Sequence, residues 1–354
     1  MQTYTPERTW HQAFCELPFT KLIVNAWGDV CMCCHHPGNY QLGNIRNYKD
    51  LIDIWNLPVA KEIREVTLQG RFHQHCAAAP DCPIQFREKT PYNFLAYKDF
   101  KHPTHLEVDL PDKHCNIGGE DPTTGTPACI MCIRRHRFPK DQEDITDMIC
   151  EKSKSLMPYL TKFSVLGVAE PFWKDALFNI FEKVNFSRYK ENIEFDTNHN
   201  VTCFGDKTQN RFLKEVQYSS LQFSIDAATP ETYKKIRVLD AYDLIISNLK
   251  LWMTKRTFPH HKVTIWNNIN MLNVYEMTRM VEVASELRVD RILMLPTHSQ
   301  NGKINIGNLM LGPNNYHIFK NESDKAAARA RELGIVLELP VPFDAPKNLV
   351  QLGV

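Results

Sequence analysis

From about residue 105 onward the chain alternates short strand-like runs with stretches in which apolar residues recur every three or four positions. The runs Leu106–Leu110, Lys162–Val168, Asn192–Asp196, Leu221–Ile225, Val263–Ile269 and Arg291–Leu295 predict six strands. Among the intervening segments, Val274, Met277, Val281, Ala284 and Leu287 share one helical face. A further helix near Lys325–Leu333 precedes the apolar run Ile335–Leu339. Such repetition predicts stacked βα units with right-handed crossovers. The expected fold is therefore α/β, a parallel sheet curled into a partial (β/α)6 TIM-like barrel over residues 105–340. Residues 1–90 lack this alternation and read as a separate small cysteine-rich domain, with 91–104 as connector and 341–354 as a carboxyl-terminal tail.

In a barrel of this kind the βα loops at the carboxyl ends of the strands carry function. In chain order those loops hold the Cys115–Cys132 segment, Glu170, Asn198, Asp226, Asn268 with Asn270, and His298. A trio of cysteines and several polar side chains would thus share one mouth.

Composition narrows the chemistry. The 354 residues suit about two domains, and 42 Lys and Arg against 41 Asp and Glu leave a formal charge of +1. So little excess positive charge gives no whole-chain field for a nucleic-acid backbone or an anionic membrane. No window approaches the ~20 apolar residues of a membrane span. The start, Met1 to Arg8, lacks the basic-then-apolar order of a signal peptide, so a cytoplasmic location is expected. Eleven cysteines in a reducing compartment point to metal or iron–sulfur ligation rather than disulfides.

The cysteines fall into two groups. Cys115, Cys129 and Cys132 lie in the first barrel loop; Cys15, Cys31, Cys33, Cys34, Cys76 and Cys82 lie in the amino-terminal domain, with Cys150 and Cys203 apart. Three thiolates on a four-iron cluster leave one iron open for chemistry, whereas His114 or His136 could complete a Cys3His zinc site. Spacing alone leaves both possibilities.

Cys115-Asn116 after a strand, followed by Cys129-Ile130-Met131-Cys132, resembles the cysteine motif of radical S-adenosylmethionine (SAM) enzymes. Leu166 to Pro171, including Glu170, is similar to that family's GGEP turn, with Val168 and Ala169 replacing glycines. Thr197-Asn198 resembles its third-strand signature, and Ser224-Ile225-Asp226 with Thr229-Pro230-Glu231 and Ile236-Arg237 resembles its fourth βα unit. The resemblance implies a 4Fe–4S cluster on Cys115, Cys129 and Cys132 that binds SAM, reductive SAM cleavage, and hydrogen-atom abstraction by a 5′-deoxyadenosyl radical. It implies that Glu170 holds the SAM amino group, that Ser224 and Arg237 contact the ribose and carboxylate ends, and that Met131 meets the adenine. Asn198 and Asp226 would face either SAM or the substrate.

Two features depart from the family pattern. The usual C-x3-C-x2-C is C-x13-C-x2-C here, and Met131 stands where an aromatic residue is general. Asn116–Ala128 holds three glycines and two prolines and reads as a surface loop, whose extra length costs only roughly 1–1.5 kcal/mol of closure entropy. Methionine, apolar and polarisable, can retain the adenine contact.

Residues 15–82 resemble the SPASM auxiliary domain, through Cys15, Gly28 to Cys34, Leu42-Gly43-Asn44-Ile45, Leu51 to Asn56, Cys76 and Cys82. The resemblance implies that Cys15, Cys33, Cys76 and Cys82, with Cys31 or Cys34 as alternates to Cys33, ligate a second, auxiliary 4Fe–4S cluster. SPASM domains usually follow the barrel; this one precedes it. Cys203, five residues beyond Asn198, is a candidate hydrogen-atom donor, and Cys150 fits a helical core. The expected activity is radical SAM modification of a peptide or protein by epimerisation, crosslinking or oxidation, fed by a reductant such as flavodoxin or ferredoxin. The alternatives are the same chemistry on a small-molecule natural-product or sugar precursor, and a non-catalytic zinc or iron–sulfur binding module.

Overall fold

The computed structural model describes residues 15–33, 41–71, 73–74, 100–111, 115–117, 129–132, 143–167, 169–297, 306–312 and 314–339. The chain divides into two compact units. One comprises Met1–Asp109, Glu143–Ser164 and Ile180–Ile193; the other comprises Leu110–Gln142, Val165–Asn179 and Glu194–Val354.

In the first unit, β1 (Lys21–Val24) pairs antiparallel with β2 (Asp29–Cys31), which pairs antiparallel with β3 (Gly43–Asn44). The β1–β2 turn depends on Asn25, whose side-chain oxygen accepts the backbone N–H groups of Trp27 and Asp29 at 2.9 Å each. Gly28 closes it at φ +85°, where an added Cβ would meet Ile45 at 2.8 Å, so both conformation and space demand glycine. Next come α1 (Leu51–Trp55), started by an Asp50–Asp53 capping box, and α2 (Pro58–Leu68), which begins on a proline. Their inward residues Leu51, Ile54, Trp55, Ala60 and Ile63 are almost wholly buried, as are Leu22, Val24 and Val30 of the sheet. On its other edge β1 runs parallel to β4 (His105–Asp109). The helix α3 (Thr146–Ser153) is tied to this core by Lys152, whose ammonium donates to the carbonyls of Ile45 at 2.7 Å and Tyr48 at 2.6 Å. Cys150 is buried in α3, as its apolar spacing predicts.

The strand predicted at Lys162–Val168 is β5 (Lys162–Leu166); Val168 lies outside the described residues. In the second unit, β6 (Glu194–His199), β7 (Tyr218–Ser224), β8 (His261–Ile269), β9 (Arg291–Pro296) and β10 (Val336–Glu338) form one parallel run in chain order. Parallel neighbours need long crossovers. These contain α4 (Asp206–Glu215), α5 (Pro230–Arg237) with α6 (Tyr242–Lys255), α7 (Met277–Glu286) and α8 (Tyr316–Leu333). The fold is α/β with a parallel sheet.

The two faces of this sheet differ. Phe195, Leu221, Phe223 and Ile265 are buried on the face that also meets Phe212 of α4 and Trp252 of α6, with ring pairs such as Phe204–Trp252 at 5.0 Å and Phe212–Trp252 at 5.8 Å. Alternate positions Asn198, Gln222, Ser224, Trp266 and Asn268 turn the other way and remain half-buried. Parallel sheets normally bury apolar side chains on both faces. A polar second face therefore marks where a ligand rather than a helix is accommodated. Among the described residues no helix is long and apolar enough to cross a membrane.

Candidate active site

The carboxyl ends of β5 to β9 surround a cavity of about 330 Å³, within the range of small-molecule sites. Cys115, Cys129, Met131 and Cys132 line it from the first loop, Glu170, Asn198 and Ser224 from the strand ends that follow, and Arg237 from the end of α5. The structure thus brings these sequence-predicted residues together. Gln222, Trp266, Asn268 and Thr297 complete the polar wall.

The cysteine loop is anchored by backbone bonds. Ile130 donates its N–H to the carbonyl of Ile236 at 3.0 Å, and Cys132 to that of Cys129 at 2.9 Å. Cys115 is followed by Asn116, whose amide donates to Thr202 Oγ1 at 2.7 Å and whose oxygen accepts from Asn200 at 2.8 Å. Burial pushes the thiols of Cys115 and Cys129 well above their ordinary range.

Glu170 follows a turn in which Gly167 takes φ +100°, a conformation that favours glycine. Its carboxylate is 1% exposed. It accepts the N–H of Asn200 at 2.7 Å and that of Phe172 at 3.4 Å. Burial raises its pKa to about 7, against these two hydrogen bonds, which lower it. Among the described residues no basic side chain forms an ion pair with it. The loop that supplies Asn200 continues into Val201, a buried β-branched residue held at φ +69°. Its carbonyl accepts the amide of Asn248 at 3.0 Å.

Other predicted residues stand away from the cavity lining or outside the described residues. Asp226 does not line the cavity: it is fully buried, forms an ion pair with Arg237, and accepts the N–H of Asn268 at 2.7 Å. Asn270, expected in the mouth, is fully buried and accepts the N–H of Leu272 at 2.9 Å. Cys203 is half-buried beside the Thr202 hydroxyl at 3.7 Å and is not among the cavity-lining residues; burial pushes its thiol up to about 12. His298, His114, His136, Cys34, Cys76 and Cys82 lie outside the described residues. In the other unit Cys15 is buried, while Cys31 and Cys33 are half-buried, with Cys31 Sγ 3.4 Å from the carbonyl of Cys33. Gln222 and Thr297 escaped the sequence reading. Period-two alternation with Ser220 and Ser224 was the available signal for Gln222, and Thr297 had none.

Residues 15–83 match the SPASM family, an iron–sulfur cluster-binding domain. No curated protein matches the sequence. Among solved structures, Streptococcus suis SuiB bound to its precursor peptide SuiA is similar at 13% identity and a TM-score of 0.51, over 93% of this chain and 73% of SuiB. SuiB bound to S-adenosylmethionine is similar at 13% identity and a TM-score of 0.50, over 96% of this chain and 72% of SuiB. The SPASM match is confined to residues 15–83, and the chain as a whole shares the fold of SuiB. Native anSMEcpe with bound AdoMet is also similar, at 12% identity and a TM-score of 0.50, over 67% of this chain and 64% of that one.

The donor set fits an iron–sulfur cluster together with a zwitterionic ligand. Three thiols line one cavity, yet among the described residues no three His, Cys, Asp or Glu side chains stand close enough to hold a single metal ion. A lone zinc ion needs its thiolates within ~2.3 Å of one point, whereas a multi-iron cluster spreads its ligands around a larger body. A buried carboxylate that forms no ion pair among the described residues and a buried guanidinium on the same cavity suit a zwitterion with separate ammonium and carboxylate groups.

Proposed function

We propose that this protein is a radical SAM enzyme that modifies a peptide. The observation carrying the reading is the meeting of Cys115, Cys129 and Cys132 with Glu170 and Arg237 around one cavity at the strand ends. Cys115, Cys129 and Cys132 would hold a 4Fe–4S cluster, which together with SAM supplies reductive SAM cleavage and hydrogen-atom abstraction from an unactivated carbon. Glu170 takes the SAM amino group: an ammonium beside this carboxylate restores the charge balance that burial has upset, returning its pKa toward the ordinary range. Arg237 takes the carboxylate, Ser224 the ribose, and Met131 the adenine. Asp226 acts behind Arg237 and fixes its direction. Asn198 and Thr297, whose side-chain oxygens are buried without a hydrogen-bond partner among the described residues, await donors from SAM or substrate.

The strands would curl into a partial barrel, with the SPASM domain ahead of it holding a second 4Fe–4S cluster on Cys15, Cys33, Cys76 and Cys82. A peptide substrate is supported by the SuiA peptide bound to SuiB. A flavodoxin or ferredoxin in the cytoplasm would supply electrons. The half-buried Cys203 thiol is the candidate hydrogen donor for epimerisation, whereas crosslinking and oxidation need no such donor.

The test is anaerobic reconstitution followed by incubation with reductant, SAM and the peptides encoded beside this gene. A brown protein with about eight iron and eight sulfide per chain, 5′-deoxyadenosine release and a peptide lighter by two hydrogens is the expected outcome. A colourless zinc protein that leaves SAM intact removes the reading.

A further inference from the structure

Arg237 is the last residue of α5, and Cys129 is docked on it twice. The Cys129 thiol donates to the Arg237 carbonyl at 3.6 Å, and guanidinium Nη1 stands 4.0 Å from the same sulfur. On its far side the guanidinium pairs through Nη2 with Asp226. Asp226 is held in turn by the backbone N–H and side-chain amide of Asn268, at 2.7 and 3.3 Å. Nε of Arg237 is buried and has no hydrogen-bond partner among the described residues, which leaves one donor for a ligand carboxylate. The Arg237 side chain is 11% exposed and that of Asp226 fully buried, so water screens this row of charges weakly.

We infer that Arg237, oriented by Asp226, tunes the cluster through Cys129, making it easier to reduce, in addition to any part in binding SAM. This rests on the radical SAM reading above. Reduction adds one electron to the cluster and its thiolates. A cation beside one ligating sulfur favours the more negative state, and a carboxylate behind that cation partly cancels it. The two residues therefore act on the potential with opposite signs. A contact that serves only SAM, or only the fold, has no such signature.

The experiment is a redox titration of the reconstituted full-length protein without SAM. The signal assigned to the first cluster is the one that SAM later perturbs, and the auxiliary cluster serves as internal reference. Arg237→Gln is expected to lower the reduced-to-oxidised ratio of the first cluster about tenfold at a fixed potential, ~59 mV for a one-electron couple. Arg237→Lys, which keeps the charge, should stay near wild type. Asp226→Asn should shift the ratio the other way by a smaller factor. The auxiliary signal should not move in any of the three. An unchanged ratio in Arg237→Gln overturns the inference, as do shifts of the same sign in Arg237→Gln and Asp226→Asn. A wild-type protein that assembles no SAM-responsive cluster removes the inference together with the reading beneath it, so the two failures are distinct.

Discussion

The two faces of the β6–β9 sheet come from the same strands, residue by residue in alternation, and yet do opposite work. On one, Phe195, Leu221 and Phe223 meet Phe212 and Trp252 in a dry aromatic layer. On the other, Asn198, Gln222, Ser224 and Asn268 line a cavity beside three thiols. Apolar packing is concentrated on the first face and the candidate site on the second. This division teaches that a βα sheet becomes a site when one face stays polar instead of being covered by apolar side chains.

The strongest way to break the division is to remove sulfur from the polar side. In Cys129→Ala with Cys132→Ala, reductive SAM cleavage should fall below detection while about four iron atoms remain in the auxiliary domain, measured by deoxyadenosine release and iron assay. Persistent cleavage would mean that another segment carries the chemistry. Next in size is the aromatic layer. Phe212→Ala should cost about 3–5 kcal/mol of stability, read as a lowered denaturation midpoint, because the cavity it leaves is ringed by other aromatic side chains. A neutral result there would show that the layer does not carry the fold.

Acid and base sharpen the contrast, since the two faces respond with opposite signs. His199 is packed among Phe172, Phe204 and Phe223, and burial holds its pKa down at about 3. Its stabilisation is fully present above the unfolded value of ~6.5 and is lost as pH falls from there toward 3. Glu170, raised to about 7 by burial, contributes stability that is present below ~4.5 and lost as pH rises through 7. Melting curves of the cofactor-free protein should therefore show an acid slope weakened in His199→Phe and a slope approaching neutrality weakened in Glu170→Gln. Each effect is on the order of a few kcal/mol at full extent. Identical pH profiles for both variants and wild type would contradict the assignment. Smallest of all, Gln222→Ala on the polar face should leave the denaturation midpoint within about 0.5 kcal/mol of wild type while reducing product formation per SAM cleaved.

Much of this arrangement was legible in the chain. The period-two run Ser219 to Ser224 announces both faces of β7, and the predicted strands at Lys162, Leu221, Val263 and Arg291 each overlap an observed one. Other features depend on contacts that no local pattern encodes. The third strand was expected to stop at Asp196, but β6 runs on to His199 because Asn198 pairs with Gln222 and His199 with Phe223 in the neighbouring strand. Polar residues such as Asn198 have little strand preference of their own, so the partner decides. Asp226 reads as a strand-end polar residue open to ligand; only the path of α5, which returns Arg237 alongside it, shows that its charge is already spoken for. Trp266 favours a core on size alone but stands on the polar face.

Val201 acts on the site from outside the cavity lining. Left-handed backbone at a β-branched residue costs about 1–3 kcal/mol, and the cramped bend it imposes follows directly on Asn200, whose N–H grips Glu170. Exchanging that valine for glycine would slacken the bend and let the grip wander. Heritable drift at a position that never meets the ligand could thereby retune how firmly the ligand is held.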